Sequence, residues 1–187
     1  MQTTSHFVGI ELKPEVFSDI FVAVQKYLDE NNISKILQFQ NPLSPHITLY
    51  YFEKELSEFD KNTIKNLVSR FDVSSQIFVS RRQYFLREQT KCILYFDPQA
   101  YLDLEKYRNI LDKEFDRRNI ENNNLGFVPH ITFARIIHPK IFEKHRQKIE
   151  GIIEREVLNI KNINSNKGII SLYAVNSQFS PEIQIQI

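Results

Sequence analysis

Apolar residues in this chain first alternate, then recur every three to four positions, then alternate again, and that order predicts its elements. From His6 to Leu12 the period is two: Val8, Ile10 and Leu12 share one face of a strand, and Phe7 and Gly9 the other. Pro14 opens a helix, with Phe17, Ile20, Phe21, Val24, Tyr27 and Leu28 at helical spacing and Asn31-Asn32 at its end. Strands are expected at Ile36 to Gln40 and His46 to Phe52, then a helix with the stripe Ile64, Leu67, Val68 and Phe71. Ile77 to Leu86 and Cys92 to Phe96 read as a hairpin, and Leu104, Tyr107, Leu111 and Phe115 as a helix. Asn119 to Gly126 is a loop before a strand from His130 to Ile136. His138-Pro139 opens a fourth helix, followed by strands at Val157 to Ile163, Gly168 to Val175 and the final Ile183, Ile185 and Ile187. The pattern is α+β: two lobes, each a sheet with helices on one face and its open face toward a shared groove.

The two motif strands begin alike. Pro45-His46-Ile47-Thr48 and Pro129-His130-Ile131-Thr132 each run into apolar sequence. Strand alternation puts His46 and Thr48 on one face, with Ile47 and Leu49 behind, and does the same for His130 and Thr132. One His-x-Thr in a strand is an ordinary half-exposed histidine beside a β-favouring threonine. Two copies, each after a proline and each sharing the isoleucine, put a titratable side chain where packing asks for none.

Composition narrows the partners. A charge of +1 over 187 residues does not mark a general nucleic-acid binder, although a local patch could hold a nucleotide or a short single strand. A lone cysteine, Cys92, excludes an internal disulfide and fits a reducing, cytoplasmic setting. No apolar run is long enough for a membrane span, and no secretion signal or Gly-rich phosphate loop is evident.

The paired motif resembles the two-histidine (2H) phosphoesterase superfamily, and within it the LigT-like RNA 2′,3′-cyclic phosphodiesterases, also called 2′-5′ RNA ligases. All four signature residues are present, and Ser171-Leu172-Tyr173-Ala174-Val175 looks like that family's C-terminal hairpin. The resemblance implies a bilobal fold with pseudo-twofold symmetry: residues 1–187 as a single domain of two interleaved lobes, with two antiparallel sheets around a central groove. It also implies that His46, Thr48, His130 and Thr132 are catalytic. Near pH 7 one imidazole can be neutral and the other protonated, so one takes a proton from the attacking oxygen while the other gives one to the leaving oxygen. Each transfer contributes roughly 10²–10⁴ in rate. The threonine hydroxyls would donate to the non-bridging oxygens.

The expected reaction is metal-independent hydrolysis of a 2′,3′-cyclic phosphate or a 2′-5′ linkage in a ribonucleotide or short RNA, by a monomer without a cofactor. Alternatives are hydrolysis of cyclic or oligonucleotide second messengers, and an RNA-end or nucleotide-binding module without turnover. A zinc site would need three or four His, Cys or carboxylate ligands, which neither motif supplies. Around the site, parity places Tyr50 on the His46 face, where it could stack a base. Arg82 and Tyr84 share a face and are candidate phosphate and base contacts. Arg135 follows the second motif, as a basic residue often does in the family, but parity sets it opposite His130. His145, beside Phe142 and Ile149, reads as a packing residue, and His6 and His138 carry no expected role.

Overall fold

The computed structural model describes residues 5–52, 55–71, 79–87, 91–98, 101–116, 128–159, 169–175 and 181–186. In chain order these form β1 (Ser5–Glu11), α1 (Glu15–Glu30), a 3₁₀ turn (Ser34–Ile36), β2 (Leu37–Phe39), β3 (His46–Phe52), α2 (Glu58–Val68), β4 (Val79–Arg87), β5 (Lys91–Pro98), α3 (Tyr101–Asp116), β6 (Ile131–Ile136), α4 (Pro139–Asn159), β7 (Ile169–Val175) and β8 (Pro181–Gln186). Local chemistry sets several ends. Pro14 caps α1, and Asn32, at φ 56°, turns the chain out of it. The Asn32 N–H then reaches the Asp29 carbonyl at 3.0 Å and the Ile33 N–H the Leu28 carbonyl at 2.9 Å, which satisfies carbonyls the helix end would orphan. α2 opens on a reciprocal box: the Asp60 N–H donates to Ser57 Oγ and the Ser57 N–H to Asp60 Oδ2, both at 3.2 Å.

The strands form one curled antiparallel sheet in the order β4-β5-β6-β3-β1-β7-β8, with β2 paired to β6. Its two halves meet where β3 lies against β6, and there Ile47 and Ile131 are the register partners. Each motif strand therefore stands at the inner edge of its own half. Helices cross over to cover the opposite half. From α1, Phe17 packs on Phe96 of β5 at 5.4 Å and Phe21 on Phe39 of β2 at 4.8 Å. From α3, Phe115 packs on Tyr50 and Phe52 of β3 at 5.9 and 4.9 Å. One core holds these rings together with Val8, Ile10, Ile47, Leu49 and Ile131.

The α+β architecture expected from the patterning is present. One expected strand is corrected: Val157 to Ile163 does not start as a strand, because α4 runs on through Asn159, and residues 160–163 lie outside the described set. Val157 packs against the core as the last of the helical stripe. The strand expected to end at Phe96 runs two residues further. Pro98 is the end of β5, opposite Val79. The loop expected from Asn119 to Gly126 lies outside the described residues.

Candidate active site

The proline of each motif fixes how its histidine is held. A residue before proline is driven to extended backbone, which carries its carbonyl toward the side chain two residues on. Both imidazoles use this carbonyl. His46 Nδ1 donates to the Ser44 carbonyl at 3.0 Å, and His130 Nδ1 to the Val128 carbonyl at 2.8 Å. With the proton of a neutral ring on Nδ1, Nε2 becomes the nitrogen that accepts one. The two copies thus share one tautomer, set by the same local geometry. Antiparallel pairing through Ile47 and Ile131 then sets His46 on the Thr132 side and His130 on the Thr48 side. Two imidazoles and two hydroxyls come together on one face, and Ile47 and Ile131 are buried behind them.

Just beyond each threonine the strand carries a β-bulge. On β3, Thr48 pairs with Gly9 and Tyr50 with Val8, so Leu49 is the extra residue. On β6, Thr132 pairs with Tyr95 and Ala134 with Leu94, so Phe133 is the extra residue. Each bulge reverses the alternation beyond it. Two expectations fall as a result. Tyr50 does not share the His46 face: it is fully buried and packs on Phe52 and Phe115. Arg135 is not opposite His130, because the reversal returns it to the histidine face, half-buried. Tyr51 takes the place expected of Tyr50. Its ring lies parallel to Phe7 with centroids 6.1 Å apart, and its hydroxyl meets Ser5 Oγ at 2.9 Å. Tyr51 and Arg135 occupy equivalent positions, three residues after the motif threonine.

The two histidines have unlike surroundings. His46 stacks on Phe7 at 4.8 Å and meets Tyr173 of β7 at 5.1 Å, and Phe7 and Tyr173 stack on each other at 4.5 Å. Gly9 leaves room for this, because a Cβ there would come within 3.1 Å of the Phe7 ring and 3.2 Å of the Tyr173 ring. Burial pushes the His46 pKa down to about 4; the Ser44 carbonyl pulls it upward, and the charge of His130 pushes it down further. His130 meets Tyr95 edge-on at 5.5 Å. Tyr173 is raised well above the ordinary tyrosine range, first by burial and then by the charge of Glu11.

The remaining candidates separate. β4 registers Arg82 opposite Phe96 and Tyr84 opposite Leu94, and the side chains of Arg82 and Tyr84 lie outside the described residues, as does that of Cys92. His145 joins α4 to α1 through a 2.9 Å hydrogen bond with the Tyr27 hydroxyl, away from both motifs. His6 is buried in β1, and His138 is exposed at the start of α4. Among the described residues, no three His, Cys, Asp or Glu side chains converge on a possible metal site, and no helix is long and apolar enough to cross a membrane. Sequence parity missed Tyr51, Phe7 and Tyr173 as neighbours of the site. One signal was available for Tyr51: each threonine is followed by two apolar residues in a row, Leu49-Tyr50 and Phe133-Ala134. Strict alternation would expel one of each pair from the core.

Comparison with solved structures agrees with the fold. Escherichia coli LigT complexed with 3′-AMP is similar over 100% of this chain and 97% of its own, with a TM-score of 0.61 and 16% identity. TT0787 of Thermus thermophilus is similar over 98% and 96%, with a TM-score of 0.60 and 16% identity. Usb1 of Kluyveromyces marxianus covers the same shares, with a TM-score of 0.53 and 10% identity. No family model matches the chain, and no curated protein matches it. The chain has the LigT-like 2H phosphoesterase fold.

Proposed function

We propose that this protein is a phosphodiesterase that opens 2′,3′-cyclic phosphates or cleaves 2′-5′ linkages of ribonucleotides, with His46 and His130 as the acid–base pair. The observation that carries the reading is the repeated lock, in which two histidines on adjoining strands are held through Nδ1 by the carbonyl two residues back, each beside the other strand's threonine. A structural histidine gains nothing from such a duplicate. The fold is shared with LigT, whose structure holds 3′-AMP.

In this reading His46 is the base, since burial keeps it neutral at physiological pH. Its Nε2 takes the proton of the attacking oxygen, a water or a ribose hydroxyl. As the new P–O bond forms, the bond to the leaving ribose oxygen breaks, and that oxygen receives a proton from His130 Nε2. Thr48 and Thr132 donate hydrogen bonds to the non-bridging oxygens as charge gathers there. Arg135, brought to this face by the bulge, adds a cation for the phosphate. Tyr51 replaces Tyr50 as the ring on which a base stacks, a contact worth about 1–3 kcal/mol. Nothing in this scheme calls for a metal.

The test is turnover of 2′,3′-cyclic AMP and a 2′-5′ oligoadenylate in EDTA by the wild type, His46→Ala and His130→Ala. Each variant should lose at least about 10²-fold in kcat while keeping nucleotide affinity within a few-fold. Full activity in both variants would remove the two-histidine mechanism. Binding without turnover in the wild type would leave a nucleotide-binding module.

A further inference from the structure

We propose that Phe7 and Tyr173 are positioning residues that hold the His46 imidazole in a water-excluding aromatic seat, and that Gly9 exists to let that seat close. The inference deepens the acid–base reading above and rests on it for its catalytic meaning. Three rings from three adjacent strands meet here: His46 from β3, Phe7 from β1 and Tyr173 from β7. Phe7 and Tyr173 are register partners and lie nearly parallel, at 10°. Between them, Gly9 pairs with Thr48 on one side and Ser171 on the other. A methyl group at Gly9 would also sit 3.1 Å from the Ile47 carbonyl, so the rings and the carbonyl would have to give by a few tenths of an ångström to make room for it. The hydrogen bond to Ser44 fixes one end of the imidazole, and the rings fix its plane. A single hydrogen bond leaves a side chain free to rock about it; a stacked face removes that freedom.

The seat distinguishes the two halves. His130 has the same backbone lock and meets Tyr95 edge-on, whereas His46 lies face-on to Phe7 beside Tyr173. When two titratable groups of one kind sit in unlike surroundings, their proton affinities diverge, and their roles divide accordingly. Among the described residues, the titratable groups set against His46 include Glu11, its register partner on β1, Tyr173 on β7 and His130 at the head of β6. Removal of a wall admits water, so the displaced imidazole binds its proton more readily.

Phe7→Leu keeps an apolar side chain and removes the ring, whereas Phe7→Tyr keeps the ring. The two variants and the wild type are compared by pH profiles of kcat and kcat/KM on 2′,3′-cyclic AMP. In parallel, the His46 ring is titrated by NMR, with His46→Gln to assign its resonance. The seat predicts that Phe7→Leu raises the His46 titration from about 4 toward the ordinary value near 6.5, moves the acid limb with it, and lowers kcat about tenfold to a hundredfold at little change in KM. Phe7→Tyr should restore both. An unmoved titration in a folded Phe7→Leu protein overturns the proposal, as does an equal loss in Phe7→Tyr. Should Phe7→Leu not fold, Tyr173→Leu tests the other wall with the same readouts. The NMR arm needs no substrate, so a shifted titration in a protein without turnover would uphold the seat and sink the catalytic reading.

Discussion

At the scale of single residues, adjacent side chains with almost the same chemistry have opposite fates. Tyr50 is core, and Tyr51, half-buried, lies against Phe7 on the histidine face. Tyr50→Ala should therefore cost about 3–5 kcal/mol of stability, as large buried aromatics do, read as a lower denaturation midpoint. Tyr51→Ala should leave the midpoint nearly in place and weaken nucleotide binding about tenfold or more, read by calorimetric titration with 3′-AMP. A reversed pair of results would mean that the bulge is wrongly placed. His46 makes a second prediction. Its folded-state pKa of about 4 lies below the unfolded value near 6.5, so between these values the unfolded chain binds the proton and the folded chain does not. Stability should fall as pH is lowered from about 6.5 to about 4, and in His46→Gln that part of the slope should vanish in denaturant midpoints measured across the range.

At the scale of elements, most boundaries were legible because local chemistry sets them. Pro14, Asn31-Asn32 and the alternation from His46 mark their ends by mechanisms that act within a few residues. The bulges were not legible in the same way. A bulge depends on what the neighbouring strand offers, and Gly9 and Tyr95 lie far from Thr48 and Thr132 in sequence. The four motif residues were found from their spacing, whereas the parity of Tyr50 and Arg135, counted as if the strands were regular, came out inverted. The same dependence explains the end of α4, whose apolar stripe carries the helix over Val157 into sequence that reads locally as a strand. Gly9→Ala should act at this level. Its added methyl meets two rings and a carbonyl at 3.1–3.2 Å, a clash expected to cost about 1–3 kcal/mol in denaturant melts. Little change in stability would show that the rings yield easily.

At the scale of the molecule, the exchange of helices ties the halves together: α1 covers β2 and β5, and α3 covers β3. Sequence patterning showed which faces were apolar. It could not show which helix would serve which sheet, because pairing at a distance leaves no mark on local periodicity. The consequence concerns leverage. The halves join along a very short seam, at Ile47 and Ile131, and the two histidines stand one residue from it. A scissoring of the halves would turn about that seam as about a pivot. Points near a pivot travel least, so the gap between the imidazoles would hold steady while the far ends of the groove swing apart. Were the halves to hinge there, ligands of different bulk would fit the outer groove while the spacing of the two imidazoles stayed the same. Structures with and without a bound nucleotide should show an unchanged imidazole separation and an altered outer groove; the converse would mean that the seam is not the pivot.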